Sequence, residues 1–165
     1  MVGAILKFDN WSKNIFKVLF NDIDISLWNF DIKYWESYGK STMINDFNNL
    51  EYIDSEIAKK ELIYDDCEVY PEFSKLFINR SSEKTHDLKF YGDFIKSDYF
   101  ISLVIIDHRN IEICCKDIQV LEKIIKKFKE SNLENKRVNV LENIRLDAVI
   151  LAFRSKKEIN IYDSN

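Results

Sequence analysis

Hydrophobic and polar positions form their clearest pattern between residues 100 and 132. From Phe100 to Asp107 both alternating sets of positions are apolar, which is typical of a strand covered on both faces of a sheet. A turn-forming run, Asp107–Asn110, follows, and apolar and polar positions then alternate through Cys115. Asp117 stands where the N-cap of a helix is expected. The predicted buried stripe of that helix consists of Ile118, Leu121, Ile124, Ile125 and Phe128.

The same patterns predict the remaining elements. Further strands are predicted at Val2–Phe8, Ile25–Tyr38, Leu76–Ile78 and Val138–Leu141, and helices at Trp11–Phe20, Asp54–Ile63 and Leu88–Ser97. Leu146–Phe153 fits a strand or a short helix equally well, and the tail is polar from about residue 154. We therefore predict a single α+β domain over residues 1–165. Its mainly antiparallel sheet has about five or six strands, with two principal helices packed on it.

The predicted strand Ile25–Tyr38 has one aromatic and one polar face. Trp28, Phe30, Ile32 and Tyr34 share the first face, and Asn29, Asp31 and Lys33 share the second. We expect the first helix to cover the aromatic face, because an antiparallel sheet commonly buries one face and leaves the other in water.

Composition supports one globular domain. Of 165 residues, 46% are hydrophobic and 14% aromatic, which argues against disorder. With 3 glycines and 1 proline in the chain, the sequence has no glycine-rich phosphate-binding loop and no flexible linker.

Charge is distributed unevenly around a net value of −4. Residues 46–72 contain nine acidic residues and two lysines, a local net charge of −7. Residues 116–137 contain seven basic and four acidic residues, a local net charge of +3. The overall acidity disfavours non-specific binding to nucleic acid or to anionic membranes.

The cysteines and the apolar runs indicate in which cellular compartment the protein is expected. Three cysteines, including the adjacent pair Cys114 and Cys115, do not make a disulfide framework, so we expect reduced thiols in the cytoplasm. The first ten residues lack the features of a signal peptide. The longest apolar run, Ile101–Ile106, is too short to span a membrane.

Candidate catalytic groups are sparse. The two histidines, His86 and His108, have no metal-ligand spacing, and neighbouring strand residues such as Cys114 and Cys115 point to opposite faces. We predict no catalytic residues, no metal site and no cofactor. An enzyme with a site around the 107–115 hairpin, using His108 and Cys115, stays an alternative, because the sequence does not show whether the two side chains meet.

Four segments carry a family resemblance. They are the opening ILKF with NWSKNIFKVLF, the segment IDISLWNFDIKYWES, the block FYGDFIKSDYFISLVIIDHRNIEICCKD and the helix QVLEKIIKKFK. With these, the chain resembles a family of small bacterial proteins of unknown function found in Firmicutes. The resemblance implies a single α+β domain and brings no activity and no catalytic residues.

Our leading hypothesis is a small intracellular protein-binding module, of the inhibitor or immunity type, that acts on a basic protein partner through an acidic surface. The predicted binding residues are Glu51, Asp54, Glu56, Glu61, Asp65, Asp66 and Glu68. Besides the enzyme alternative, a second alternative is nucleic-acid binding through the basic segment 123–137. We expect no membrane partner, and the sequence leaves the oligomeric state open.

Overall fold

Six strands and three helices make up the part of the chain that the structure, a computed structural model, describes. That part comprises residues 1–9, 15–38, 56, 62–63, 70–81, 88–107, 109–148 and 150, with the backbone alone described at 35–38 and 70–73. The strands are β1 (Gly3–Lys7), β2 (Asn29–Tyr38), β3 (Tyr70–Asn79), β4 (Ile101–Ile106), β5 (Asn110–Cys115) and β6 (Arg137–Leu141). The helices are α1 (Ile15–Phe20), α2 (Tyr91–Lys96) and α3 (Ile118–Glu130). The predicted α+β fold is confirmed.

The strands form one sheet in the order β2-β3-β4-β5-β1-β6, and every neighbouring pair is antiparallel. Strand β4 lies inside the sheet and all its residues are buried, as the double apolar alternation predicts. The predicted β4–β5 hairpin is also present. Asp107 in its turn has a φ of 50°, a left-handed conformation that aspartate tolerates better than most residues.

Helices α1 and α3 cover one face of the sheet, which we call the α1/α3 face. Its core joins Ala4 and Leu6 of β1 to aliphatic residues of β4 and β5 and to the aromatic rings of both helices. Phe128 of α3 packs edge-to-face on Phe8, with ring centroids 5.9 Å apart. Phe20 of α1 packs on Trp28 in the same way at 5.7 Å, so the expected covering of the aromatic face by the first helix is confirmed at Trp28.

Tyr34 departs from the predicted aromatic face. The β2–β3 register shifts between Ile32 and Tyr34, so that Ile32 lies opposite Leu76 and Tyr34 lies opposite Lys75. Because directly paired residues point to the same face, this bulge turns Tyr34 away from the side of Ile32. Tyr34 is 37% exposed.

The other face of the sheet, the α2 face, has a smaller core. Phe77 of β3, Val104 of β4 and Cys114 of β5 pack there against Phe94 of α2 and Tyr99. Helix α2 confirms the prediction at Leu88–Ser97, although it is shorter.

The start of α2 is held by a distant segment. The amides of Tyr91 and Gly92 donate to the carbonyls of Ala148 and Leu146, at 2.9 and 2.8 Å. A Cβ at Gly92 would lie 2.9 Å from the Leu146 carbonyl oxygen, so this close approach requires glycine. Leu146 and Asp147 form a turn, and at residues 146–148 and 150 neither the strand nor the helix considered for 146–153 is found.

Helix α3 begins as predicted. The Asp117 carboxylate accepts hydrogen bonds from the amides of Gln119 and Val120, at 3.0 and 3.2 Å. Four of the five predicted stripe residues are buried. Ile118 is instead 48% exposed, so its prediction is wrong. At the first helical position it has no preceding turn of α3 to pack over.

Two predicted segments fall mostly outside the described residues. Of the predicted helix Asp54–Ile63, only Glu56, Leu62 and Ile63 are described, and the last two are buried in the core of the α1/α3 face. The polar tail from residue 154 lies wholly outside.

Candidate functional site

Most of the predicted acidic binding residues lie outside the described part of the chain. Glu56 is described and exposed. The other six lie outside the described residues: Glu51, Asp54, Glu61, Asp65, Asp66 and Glu68. The acidic surface therefore stays a prediction.

On the α2 face, the buried residues Asp31 and Tyr99 and the partly exposed Lys33 form a group of polar side chains, which we call the Asp31 cluster. Asp31 is 2% exposed and Tyr99 is fully buried. The Tyr99 hydroxyl donates to Oδ2 of Asp31, and Nζ of Lys33 lies 2.9 Å from the same oxygen. The buried carboxylate thus has both a hydrogen bond and a positive partner, which offset the cost of removing it from water.

Lys75 is a second buried charge on this face, only 1% exposed. Its Nζ donates to the carbonyl of Leu88 at 3.0 Å and lies 5.0 Å from the centroid of the Phe77 ring. Phe77 in turn stacks on Tyr99, with ring centroids 5.0 Å apart. Lys75 is therefore connected to the Asp31 cluster through two aromatic rings.

Sequence reasoning missed these groups, because Asp31 and Lys33 fall on the polar side of a strand predicted to be half exposed. That prediction is wrong for Asp31, since Tyr99 and the core of the α2 face cover it. A signal existed in β3, where Lys75 interrupts apolar residues, because a charge in a buried strand needs polar partners. The contacts of Asp31 and Tyr99 are internal to the fold. They stabilise it and do not present a reactive group to solvent.

The two hairpin cysteines lie on opposite faces, as predicted. Cys114 packs in the core of the α2 face and Cys115 in that of the α1/α3 face. Burial raises the pKa of Cys115 to about 11, and Cys115 Sγ donates to the Asp117 carbonyl at 3.1 Å. Burial, with the charge of Glu112, raises the pKa of Cys114 as well. Both thiols are therefore protonated near neutral pH, which disfavours a thiolate nucleophile.

His108, the other residue of the alternative hairpin site, lies outside the described residues. In the part of the chain that is described, histidine, cysteine and acidic side chains form no group of three that could hold a metal ion.

Several lysines of the basic segment 123–137 have partners within the fold. Lys127 pairs with Asp22 at 2.5 Å, and Lys126 lies 3.8 Å from Glu130. Lys136 donates to the carbonyl of Lys129 at 2.6 Å and to that of Ser131, which satisfies acceptors at the end of α3. Lys123, Lys129 and Arg137 remain exposed.

Large apolar side chains are exposed at several places in the described residues. They are Leu27, Tyr34, Phe90, Ile95, Ile118, Val140 and Leu146. Phe90 precedes α2, and Leu146 belongs to the segment hydrogen-bonded to the start of that helix. The described helices include none that is both long enough and apolar enough to cross a membrane.

The fold and the buried polar cluster define a small α+β protein with a six-stranded antiparallel sheet covered on both faces. Residues 1–147 match a family described as "Protein of unknown function (DUF2691)". The chain belongs to this family, and the resemblance to an uncharacterised family is confirmed. No curated protein and no solved structure matches the chain.

Proposed function

We propose that this chain is a small protein-binding module that acts through its acidic segment, residues 46–72. The observation that carries the proposal is the net charge of −7 within that segment, against −4 for the whole chain. Such a surface attracts a basic partner and speeds their association. Glu56, the described member of the predicted binding residues, is exposed.

The geometry of the described residues favours binding over the two alternatives. A cysteine enzyme at the hairpin needs a thiolate, and the raised pKa of Cys115 opposes thiolate formation. Nucleic-acid binding needs several lysines directed at phosphates, and Lys127 and Lys136 are bound to groups of the fold. Exposed apolar side chains such as Phe90 and Leu146 supply contact area of the kind that protein interfaces use.

We further propose that the protein is of the inhibitor or immunity type and acts in the cytoplasm of a bacterium, with Firmicutes as the expected source. An inhibitor of this kind covers a basic functional surface of its partner. The free thiols of Cys114 and Cys115 support a reducing compartment, where thiols persist.

The experiment compares two variants of equal charge change. The first carries Glu51→Gln, Asp54→Asn, Glu56→Gln and Glu61→Gln. The matched control neutralises four exposed acids elsewhere through Asp98→Asn, Glu122→Gln, Glu130→Gln and Glu134→Gln. Tagged full-length protein is expressed in its native host and purified at low and at moderate salt, and the stoichiometry of any bound protein is measured.

We expect a stoichiometric basic partner with wild type and with the control variant, and its loss with the first variant. Affinity for the purified partner should fall as salt rises, because exposed charges are screened. Failure to recover a stoichiometric partner at either salt concentration would overturn the proposal. Equal loss in both variants would show that total charge, rather than the acidic segment, is responsible.

A further inference from the structure

Residues 144–148 and 150, which we call the strap, bind the start of α2. The amides of Tyr91 and Gly92 donate to strap carbonyls, and the Ile150 amide donates to the carbonyl of Lys89 at 2.9 Å. Among the described residues, these three are the hydrogen bonds that join the strap to distant parts of the chain. They attach the strap to α2 and its entry rather than to the strands of the sheet.

The strap packs apolar side chains into the fold at its two ends. Ile150 is 2% exposed in the core of the α2 face, and Ile144 packs against the same core. Between them, Arg145, Leu146 and Asp147 are exposed. The ion pair of Arg145 with Asp147 joins two strap residues and adds no contact with the rest of the protein. Segments with few buried contacts are the first to open in folded proteins.

The two ends of α2 are held by different groups. Near its end, Nζ of Lys116 donates to the Ser97 carbonyl and lies 5.0 Å from the centroid of the Phe94 ring. Its start is held by the strap and by the buried side chain of Tyr91. With 6 residues, α2 is far below the ~12–15 residues at which an isolated helix becomes even marginally stable. The start of α2 therefore depends on the strap.

We propose that the strap and the first turn of α2 form a cover that opens as one unit while the sheet stays folded, and that this opening gives solvent access to Cys114. Cys114 packs in the same core as Tyr91 and Phe94 of α2 and Ile150 of the strap. Cys115 lies in the core of the α1/α3 face, which keeps its own helices when the cover opens. The strap thus controls which of two adjacent thiols can be modified.

Gly92 permits the strap to close. A Cβ at this position would lie 2.9 Å from the Leu146 carbonyl oxygen and 3.4 Å from the Leu146 Cβ. Alanine also has a higher helix propensity than glycine. Gly92→Ala therefore separates two effects, because a helix that stands alone would gain stability, whereas a helix held by the strap would lose its partner.

This cover is separate from the acidic segment 46–72, which carries the proposed function. Either of the two can fail in its own experiment without affecting the other.

Iodoacetamide alkylation of the folded, full-length protein tests the cover. Trypsin then releases residues 110–116 as one peptide, and its fragment ions distinguish Cys114 from Cys115. At low reagent concentration, the initial rates report the population of the open form, because opening and closing are fast relative to alkylation. We expect Cys114 to react at least about tenfold faster than Cys115 in the wild-type protein.

Two substitutions should open the cover, and a matched control should not. Ile150→Ala removes the buried anchor of the strap and should speed alkylation of Cys114 at least about tenfold, with the Cys115 rate unchanged. Gly92→Ala should act in the same direction, because its Cβ displaces the Leu146 carbonyl. Ile95→Ala is the control, since it truncates an isoleucine that is 43% exposed on α2, and it should leave both rates unchanged.

Three results would overturn the proposal. Equal alkylation rates of Cys114 and Cys115 in the wild-type protein would mean that both thiols react only through global unfolding. Equal acceleration of both thiols by Ile150→Ala would show a loss of overall stability without a separate cover. Slower alkylation of Cys114 in Gly92→Ala would show that α2 is held by its own helix propensity and not by the strap.

Discussion

Among the described residues, the α1/α3 face of the sheet buries aliphatic and aromatic side chains together with Ser74 and Cys115, whereas the α2 face buries Asp31, Lys75 and Ser102 beside its aromatic rings. An apolar core depends on filled volume, and a loss of volume leaves a cavity. A buried polar cluster depends on complete pairing, and a missing partner leaves a group unsatisfied. The two faces should therefore respond to different kinds of substitution.

The helices that cover the faces are also held differently. Helix α3 begins with a cap from its own sequence, the Asp117 carboxylate. Helix α2 has its first amides bound to carbonyls more than fifty residues away along the chain. The cover of the α1/α3 face is thus a local structure, and the cover of the α2 face depends on a long-range contact.

The largest effect is expected from loss of volume on the α1/α3 face. Phe128→Ala removes a fully buried ring that packs on Phe8 and should lower the free energy of unfolding by about 3–5 kcal/mol. Urea denaturation measures the change. Lys129→Ala, exposed on the same helix, should stay within about 0.5 kcal/mol of wild type. Equal effects of the two variants would contradict the packing described for this face.

The next largest effect tests polar pairing on the α2 face. Tyr99→Phe keeps the ring that stacks on Phe77 but removes the donor to Asp31, and it should cost about 1–3 kcal/mol of unfolding free energy. Tyr91→Phe removes a second hydroxyl from the same face and leaves the described partners of Asp31 in place. Urea denaturation should show a much smaller loss of unfolding free energy for Tyr91→Phe than for Tyr99→Phe. A neutral Tyr99→Phe would mean that the hydroxyl adds no stability.

A smaller effect tests the local start of α3. Asp117→Ala removes the acceptor for two helix amides and should cost about 1 kcal/mol. Asp117→Asn keeps an acceptor oxygen and should retain most of the stability. The Arg80 contact of Asp117, at 3.5 Å and partly exposed, should contribute little. If Asp117→Ala and Asp117→Asn lower the free energy of unfolding equally, in thermal and in chemical denaturation, then the charge of Asp117 stabilises the protein more than its capping hydrogen bonds do.

The last effect is confined to alkaline pH. In the unfolded chain a thiol ionises near pH ~8.5, whereas in the folded chain the pKa of Cys115 is raised to about 11 by burial. The folded state then holds this proton more tightly. Its stabilising effect is complete below the unfolded pKa and is lost as pH rises through the folded pKa.

Stability should therefore fall over that pH range, and less steeply in Cys115→Ala. Denaturation midpoints measured across the range compare the two slopes, so that any constant effect of the substitution cancels. Identical slopes would mean that the Cys115 thiol does not resist ionisation in the folded protein.

The sequence predicted the fold class, the β4–β5 hairpin, the position of α3 and the separation of Cys114 from Cys115. Each of these follows from residue spacing, because side chains alternate along a strand and recur every three to four residues in a helix. The exposed Ile118 shows the limit of that rule, since the stripe extends to a position where the helix has no preceding turn.

The candidate site was less accessible to prediction. The burial of Asp31 depends on Tyr99, which is 68 residues away along the chain. The face to which Tyr34 points depends on a bulge in β2. The bulge shifts the register with β3 by one residue and so turns the Tyr34 side chain to the other face of the sheet, and no residue type in the sequence signals it. The acidic segment was identified from charge alone, and one of its seven predicted binding residues lies within the described structure.

By itself the sequence determined the local structures: a buried strand with its hairpin, an amphipathic helix with its own cap, and two thiols on opposite sides of one strand. The tertiary structure decided that β1 lies between β5 and β6, that Asp31 and Lys75 are buried, that the first amides of α2 bind the carbonyls of Leu146 and Ala148, and that β6 is the last of the described strands in the sheet order. The physical reason is that local periodicity states which side chains share a face. The partner of that face depends on contacts between segments that are distant in the chain.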